Sequence, residues 1–291
     1  MRTGAFMRIV VGVDGSPGAE LALQWAIAEG RARGADVTAL LSYGFYGRPF
    51  EVQASTTGLD PEQLEESARA VLRKAVDDVA PGEASAIDQR VSDDEPVDAL
   101  LGEARADDLL VVGARGLGPV RRLLLGSVSM HCTRHAICST VIVREPQLGP
   151  VVVGIDGSPE SVTALGWAAE HARCRGMALE VVHAWPVSET QPAEVDQLFQ
   201  VSAQRDEHRQ QIGRLVDRTV DPRQISAVTV RFLEGHPVAV LLEAAENAGL
   251  LVVGSRGQGG IARLLLGSTS AACLLHAPCS VAVVPQPIGS S

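Results

Sequence analysis

Two glycine-rich segments of identical spacing are the part of the sequence best suited to chemistry. Both follow the pattern G-x2-G-x9-G-S. In the first copy the fixed positions are Gly113, Gly116, Gly126 and Ser127, and in the second they are Gly254, Gly257, Gly267 and Ser268. Glycines let a backbone approach a ligand closely, and the N–H groups at the start of a helix attract anions. One copy would fit a tight turn equally well, but two copies with the same spacing favour phosphate binding.

The surroundings of each segment are those that a phosphate site needs. A short apolar run, Leu109-Leu-Val-Val112 or Leu250-Leu-Val-Val253, precedes it and is typical of a buried parallel strand. The Gly-Ser pair then begins a segment that is predicted to be helical. At Gly126 and Gly267 we expect the backbone to meet phosphate, so that a Cβ would obstruct the oxygens or strain a positive φ angle.

A carboxylate stands at the end of the first strand of each half. Asp14 and Asp156 both follow an apolar run and precede Gly-Ser. One interpretation is a turn or helix-capping residue, which is common at such a place. The other is a ligand of ribose hydroxyl groups, or of a divalent metal such as Mg²⁺ that bridges phosphates. The residues leave these roles open.

The sequence repeats itself, which predicts two domains of one fold. Asp14 corresponds to Asp156 and Gly113 to Gly254. Each half alternates strands and helices, which implies a parallel sheet covered on both faces. We predict an α/β fold with two doubly wound, Rossmann-like domains, residues 1–146 and 147–291, divided at a short Pro/Gly linker. Such sheets bind ligands outside the carboxyl ends of their strands, where Asp14 and Gly113 would meet.

Composition and charge argue against several functional classes. The 291 residues carry a net charge of −10, so nucleic acid and anionic membranes are not the expected partners. The single lysine, Lys74, excludes a P-loop, which needs a lysine at the phosphates. We expect no signal peptide and, without a run of about 18 apolar residues, no transmembrane helix. Five scattered cysteines without a CxxC pair predict buried thiols in a reducing cytoplasm and no zinc.

With these motifs, the sequence resembles the universal stress protein family, in its tandem ATP-binding form. The family's nucleotide motif, G-2x-G-9x-G-(S/T), is matched by both glycine-rich segments. Its opening strand ends in an Asp, which Asp14 and Asp156 match. The resemblance extends from about residue 7 to residue 285. It implies the strand order 3-2-1-4-5 of the adenine nucleotide alpha hydrolase-like fold, and ATP as the ligand of each domain.

The resemblance also implies further residues of a nucleotide site. Ser42 and Ala184 match the position after the second strand whose backbone pairs with the adenine edge. The residues expected beside the base are Gly12, Val13, Gly154 and Ile155, and those expected to offer backbone N–H groups are Val128 and Thr269. For the loop arginines, Arg115 and Arg256, a phosphate contact and a solvated surface are equally open.

Taken together, these features predict a cytoplasmic regulator that binds ATP in both domains and signals stress to a protein partner of unknown identity. The halves share no evident general base, so we expect no enzyme and at most slow ATP hydrolysis. A slow ATP hydrolase and a scaffold without ligand are the alternatives. Pairing of the last strands, residues 140–144 and 281–285, and a homodimer are expected from the resemblance. No metal-ligand spacing is evident, and His131, His135 and His276 are interpreted as structural.

Overall fold

The structure is a computed structural model that describes residues 8–44, 60–116, 125–185, 195–257 and 266–286. For residues 195–204 it describes the helical backbone only. The middle parts of both glycine-rich segments, residues 117–124 and 258–265, lie outside the described residues, as does most of the loop after the second strand, residues 45–59.

The described elements follow the predicted alternation of strands and helices. The first half contains β1 (Arg8–Val13), α1 (Pro17–Arg33), β2 (Asp36–Ser42), α2 (Pro61–Val79), a short 3-10 turn (Ala84–Ala86), β3 (Ile87–Ser92), α3 (Pro96–Glu103), β4 (Asp108–Gly113), α4 (Ser127–His135) and β5 (Ser139–Val143). The second half contains β6 (Val151–Gly154), α5 (Pro159–Arg175), β7 (Leu179–Trp185), α6 (Val195–Thr219), β8 (Val228–Glu234), α7 (Pro237–Ala245), β9 (Leu250–Gly254), α8 (Ser268–His276) and β10 (Ser280–Val284).

Local sequence signals explain where the first helix of each half begins and ends. Ser16 is the N-cap of α1, and its Oγ accepts a hydrogen bond from the Ala19 amide at 3.2 Å, with Pro17 in the first helical position. The helix ends at Gly34, whose φ of 67° lies in the left-handed region that favours glycine. Ser158 and Gly176 repeat this arrangement around α5. The first helix of each half therefore begins after a serine cap and ends before a left-handed glycine.

The strands of the first half pair in parallel in the predicted order, β3-β2-β1-β4-β5. In the second half, β8, β7, β6 and β9 pair in parallel in the corresponding order. The last strand, β10, pairs antiparallel with β5, with Val281 opposite Ile142 and Ala282 opposite Val141. The expected pairing of the two last strands is thus present.

The compact units differ slightly from the sequence repeats. One unit joins the chain up to Pro146 with Leu274–Val283, and the other is formed mainly by Gln147–Cys273. The first unit therefore includes most of β10. The domain limits 1–146 and 147–291 stay a prediction about the repeats of the sequence.

The centre of each sheet is buried along whole strands. Residues 9–11 of β1 and 109–111 of β4 are fully buried, as are residues 151–153 of β6. Continuous burial is expected where helices cover both faces of a parallel sheet. Because these side chains form the core, polar chemistry is left to the strand ends and the loops that follow them. No helix in the described part of the chain is long and apolar enough to cross a membrane.

Candidate functional site

In the first half, the ends of β1 and β4 bring Asp14 and the glycine-rich segment together. Oδ1 of Asp14 accepts a hydrogen bond from the Ser16 amide at 2.9 Å, across a turn at Gly15 with a φ of 77°. Oδ2 of Asp14 lies so close to Gly116 that a Cβ there would collide with it. The missing side chain of Gly116 therefore lets the loop backbone lie directly against the carboxylate.

The second half repeats this contact. Oδ1 of Asp156 accepts hydrogen bonds from the amide and the hydroxyl group of Ser158, at 2.9 and 2.6 Å, across a turn at Gly157 with a φ of 86°. A Cβ on Gly257 would lie 2.5 Å from Oδ2 of Asp156. The carboxylate and the second motif glycine are thus neighbours in both halves.

The first glycine of each motif is required by close packing of a helix on a strand end. A Cβ on Gly113 would lie 2.5 Å from the backbone of Gly18, in the first turn of α1. A Cβ on Gly254 would lie 3.0 Å from the backbone of Glu160, in the first turn of α5. Larger residues at either glycine would push the helix away from the sheet.

The last glycine of each motif begins the helix that follows. The Gly126 amide donates to the Ala114 carbonyl at 2.8 Å, and the Gly267 amide donates to the Ser255 carbonyl at 2.7 Å. Gly126 is the N-cap of α4, and no side chain caps this helix end. Ser127 and Ser268 are exposed and Val128 and Thr269 are half-buried at the same helix starts.

Of the two alternatives expected at these glycines, the structure rules out the positive φ angle, while obstruction of phosphate oxygens by a Cβ stays a prediction. Gly126 has φ −71° and ψ 156°, which any residue adopts, and Gly267 is not among the described glycines of positive φ. The nearest described atoms to a Cβ would be 3.5 Å away at Gly126 and 3.4 Å away at Gly267, which are ordinary contact distances. The described part of the chain therefore leaves room for a methyl group at both positions.

Two buried serines, which the sequence reasoning missed, hold these helix starts in place. Ser129 Oγ donates to the Gly113 carbonyl at 2.6 Å, and Ser270 Oγ donates to the Gly254 carbonyl at 2.6 Å. Each bond ties the first turn of a helix to the end of the preceding strand. The signal was present in the sequence, because both motifs continue as Gly-Ser-x-Ser.

The residues expected beside a base lie on well-packed strand ends. Cβ atoms on Gly12 and Gly154 would approach leucine side chains of α3 and α7, at 3.2 and 3.0 Å, so both glycines serve helix packing. Val13 and Ile155 are buried. The structure brings these four residues to the same strand ends as Asp14 and Asp156.

The two residues after the second strands differ in what their side chains do. Ser42 is buried, and its Oγ donates to the Asp94 carbonyl at 2.6 Å, so this hydroxyl group is used inside the protein. Ala184 is half-buried and lies opposite Leu233. Both positions end up beside the third strand of their own half.

The two loop arginines also have different neighbours. Arg115 is exposed, and its carbonyl accepts a hydrogen bond from Ser16 Oγ at 3.4 Å. The Nε atom of Arg256 lies 3.7 Å from Oε1 of Glu160. The second arginine is thus held by a carboxylate at the mouth of its own site.

The second half contains a buried histidine that the sequence reasoning did not single out. Nδ1 of His183 lies 2.7 Å from the Ile155 carbonyl, and because a carbonyl only accepts, Nδ1 carries the proton. Burial lowers the pKa of His183. Its ring lies 4.8 Å from that of His208 and 6.0 Å from that of Phe232, centre to centre.

Four of the five cysteines are buried, as predicted, and Cys174 is half-buried. Cys132, Cys138, Cys273 and Cys279 are buried, and none of the five cysteines, all of them described, forms a disulfide. Burial raises the pKa of the Cys132 and Cys138 thiols to about 12, which disfavours the reactive thiolate. Within the described residues, no group of three or more His, Cys, Asp or Glu side chains is arranged to hold a metal ion.

Each site combines a fixed carboxylate with a helix N-terminus that begins with glycine and serine. A carboxylate binds hydroxyl groups or a metal cation, and the helix start binds an anion. These two features lie together at the strand ends in both halves.

Known proteins are similar in sequence to this chain along nearly its whole length. The sequence model of the Universal stress protein family matches residues 5–144 and again residues 148–285. Universal stress protein Rv1996 of Mycobacterium tuberculosis is 33% identical over 307 residues, covering 96% of this chain and 95% of that protein. Universal stress protein Rv2005c of the same species is 31% identical over 296 residues, covering 96% and 97%.

A solved structure shares the fold. The crystal structure of a universal stress protein from Archaeoglobus fulgidus DSM 4304 matches with a TM-score of 0.62 and 21% identity, covering 97% of both chains. The two matches to the family, one in each half, together with the identity to full-length relatives, settle the assignment: the chain belongs to the universal stress protein family, with two tandem domains.

Proposed function

We propose that each half binds one adenine nucleotide, ATP, with its phosphates at the start of α4 or α8. The observation that carries the proposal is the pair Gly126 and Gly267. The other motif glycines are explained by contacts within the protein, whereas a Cβ on either of these two would meet no described atom closer than 3.4 Å. Both repeats have glycine at the start of this helix, and in α4 no side chain caps the helix start. This fits a backbone that a ligand approaches closely.

The other proposed contacts with the nucleotide involve the helix starts, the two aspartates and the ends of the second strands. The first amide groups of a helix have no partners within the helix, so those of Ser127 and Val128, and of Ser268 and Thr269, are available to phosphate oxygens. Asp14 and Asp156 would bind the ribose or a Mg²⁺ ion that accompanies the nucleotide. The backbone at Ser42 and Ala184 would pair with the base, as the family resemblance implies.

The test is calorimetric titration of the full chain with ATP and Mg²⁺. We expect two sites in the parent, one in Gly126→Ala, one in Gly267→Ala and none in the double variant. A charge-assisted hydrogen bond contributes about 1.5–3 kcal/mol, so losing one weakens the affected site about tenfold or more. Gly102→Ala is the matched control, because a Cβ there meets no atom within 4 Å and lies in α3. Undiminished binding by the folded double variant would contradict the proposal.

We further propose a binding role rather than an enzymatic one. Asp14 and Asp156 accept hydrogen bonds from the turns that follow them, which suits ligand binding better than proton transfer. Purified protein is expected to release phosphate far more slowly than the typical enzyme rate of about 10 per second. Turnover near that rate, abolished by Asp14→Ala together with Asp156→Ala, would establish the hydrolase instead.

We also propose where the protein acts and how it assembles. Cysteines without disulfides support a reducing cytoplasm. A homodimer that reports nucleotide occupancy to a protein partner fits the family resemblance. Light scattering at several protein concentrations, with and without ATP, tests the assembly. A strictly monomeric chain under all these conditions would refute the dimer.

A further inference from the structure

The exposed side of α4 carries two histidines one helical turn apart. His131 and His135 are both exposed, and their rings are stacked with centroids 6.3 Å apart and an interplanar angle of 16°. Residues four apart lie on the same side of a helix, so the two rings share one surface. This surface belongs to the first half alone, because Ala272 stands in α8 where α4 has His131.

The proton on His131 has a defined position. Nδ1 of His131 lies 2.9 Å from the Ser127 carbonyl, one turn earlier in α4. A carbonyl oxygen only accepts, so Nδ1 carries the proton and Nε2 presents its lone pair. Metal-ligating histidines commonly donate their other ring N–H to a backbone carbonyl, which fixes the ring and raises the basicity of the ligating nitrogen. His131 is held in the form that binds a metal.

We propose that His131 and His135 form a two-imidazole chelate for a divalent transition-metal ion of the Cu²⁺, Ni²⁺ and Zn²⁺ class. Imidazole nitrogen suits these ions, while Mg²⁺ prefers oxygen ligands. Metal–nitrogen bonds of about 2.0–2.1 Å require the two ligating nitrogens to approach to about 3 Å. The chelate therefore requires the exposed His135 side chain to rotate towards His131, with water completing the coordination.

The position in the helix favours a bound cation. His135 is the last residue of α4, where the carbonyl groups of the final turn create a negative end. The sequence analysis interpreted His135 as structural and found no metal-ligand spacing. The exposure of both rings and the hydrogen bond of His131 revise that interpretation.

The experiment is calorimetric titration of the untagged, EDTA-treated full chain with NiCl₂ at neutral pH, without nucleotide. We expect one Ni²⁺ per chain. His131→Asn and His135→Asn should each weaken binding about tenfold or more, because the second imidazole acts at a high effective concentration. Cu²⁺ should bind more tightly than Ni²⁺, and Mg²⁺ should not compete.

The second half supplies the matched control. His276→Asn removes an exposed histidine at the equivalent of His135 and should leave Ni²⁺ binding unchanged. His208→Asn tests the other pair of neighbouring rings, His183 and His208, and should also leave it unchanged. Gly126→Ala, which addresses the nucleotide site, should keep Ni²⁺ binding, so the two proposals fail separately.

Three results would overturn the chelate. They are the absence of binding heat up to millimolar Ni²⁺, retained affinity in the folded His131→Asn/His135→Asn double variant, and loss of binding in either control. Circular dichroism of each variant confirms that α4 and the rest of the fold persist, which is expected because both side chains are exposed.

Discussion

The two halves build the same junction between their first helix and their glycine-rich loop with different residues. In the first half, Gly18 lies in the first turn of α1 and the Arg115 carbonyl packs directly against it. In the second half, the equivalent position is Glu160, whose carboxylate lies 3.7 Å from Nε of Arg256. The first loop is therefore held by backbone packing and the second by a side-chain ion pair, although the surrounding motif is the same.

The difference has a consequence for ligand binding. Packing through Gly18 engages the backbone of Arg115 and leaves its side chain exposed. The ion pair in the second half engages the side chain of Arg256 itself. In the first half, a phosphate could bind the Arg115 side chain without competition from a carboxylate at residue 18. In the second half, a phosphate would compete with the Glu160 carboxylate for Arg256.

The largest effect is expected for Gly18→Ala. A Cβ would collide with the Arg115 carbonyl, which is backbone and cannot rotate away, so α1 or the loop must shift. Overpacking of this kind destabilises by about 1–3 kcal/mol. Urea unfolding measures the loss. Glu160→Ala is the counterpart in the second half and should change stability little, since a Cβ is already accommodated there. Equal stability of Gly18→Ala and the parent would show that the junction is not tightly packed.

A pH-dependent effect is expected from His183, whose counterpart in the first half is the buried Leu41. Burial lowers the pKa of His183 in the folded protein, so the unfolded chain binds more protons. The free energy of unfolding therefore falls as the pH drops below the ordinary histidine pKa of about 6.5. His183→Leu should remove this contribution, so that thermal melting declines less between neutral pH and pH ~5.

The exposed His276 provides the control for this experiment. His276→Leu replaces an exposed histidine and should leave the pH dependence of melting as in the parent. If His183→Leu and the parent lost stability in parallel on acidification, His183 would not be the group responsible.

The smallest effect is expected for Glu160→Gln on nucleotide affinity. Removing the carboxylate releases Arg256, and a partly exposed ion pair contributes about 0–1 kcal/mol, so the second site should gain at most about fivefold in ATP affinity. Glu170→Gln breaks another ion pair with an arginine in the same helix, α5, and should change nothing. A weaker second site in Glu160→Gln would mean that the ion pair positions the loop for the ligand.

Structural features that depend on motifs present in both halves of the sequence were predicted best. The family resemblance implied the strand order, and motifs that occur twice predicted that Asp14 lies beside the glycine-rich loop. Prediction was poorer where the outcome depends on neighbours distant in sequence. The missing side chain of Gly113 serves packing on Gly18, which only the folded chain reveals.

Of the two alternatives expected for Gly126, the positive φ angle is ruled out by the structure. Glycine occurs both where φ is positive and where space is short, and the sequence does not distinguish the two causes. The structure assigns positive φ to Gly15 and an ordinary conformation to Gly126. Likewise, the buried state of His183 depends on Ile155 and on α6, which no local pattern around residue 183 reveals.

The pairing of β10 with β5 affects the order of events during synthesis. β10 belongs to the same compact unit as the first half, although nearly the whole second half separates it from β5 in the chain. A growing chain therefore exposes the edge of β5 until β10 has been synthesised. An exposed apolar edge invites pairing with other chains. The second half thus covers the edge of β5 only once β10 has been made, so a truncation between these two strands would leave that apolar edge exposed.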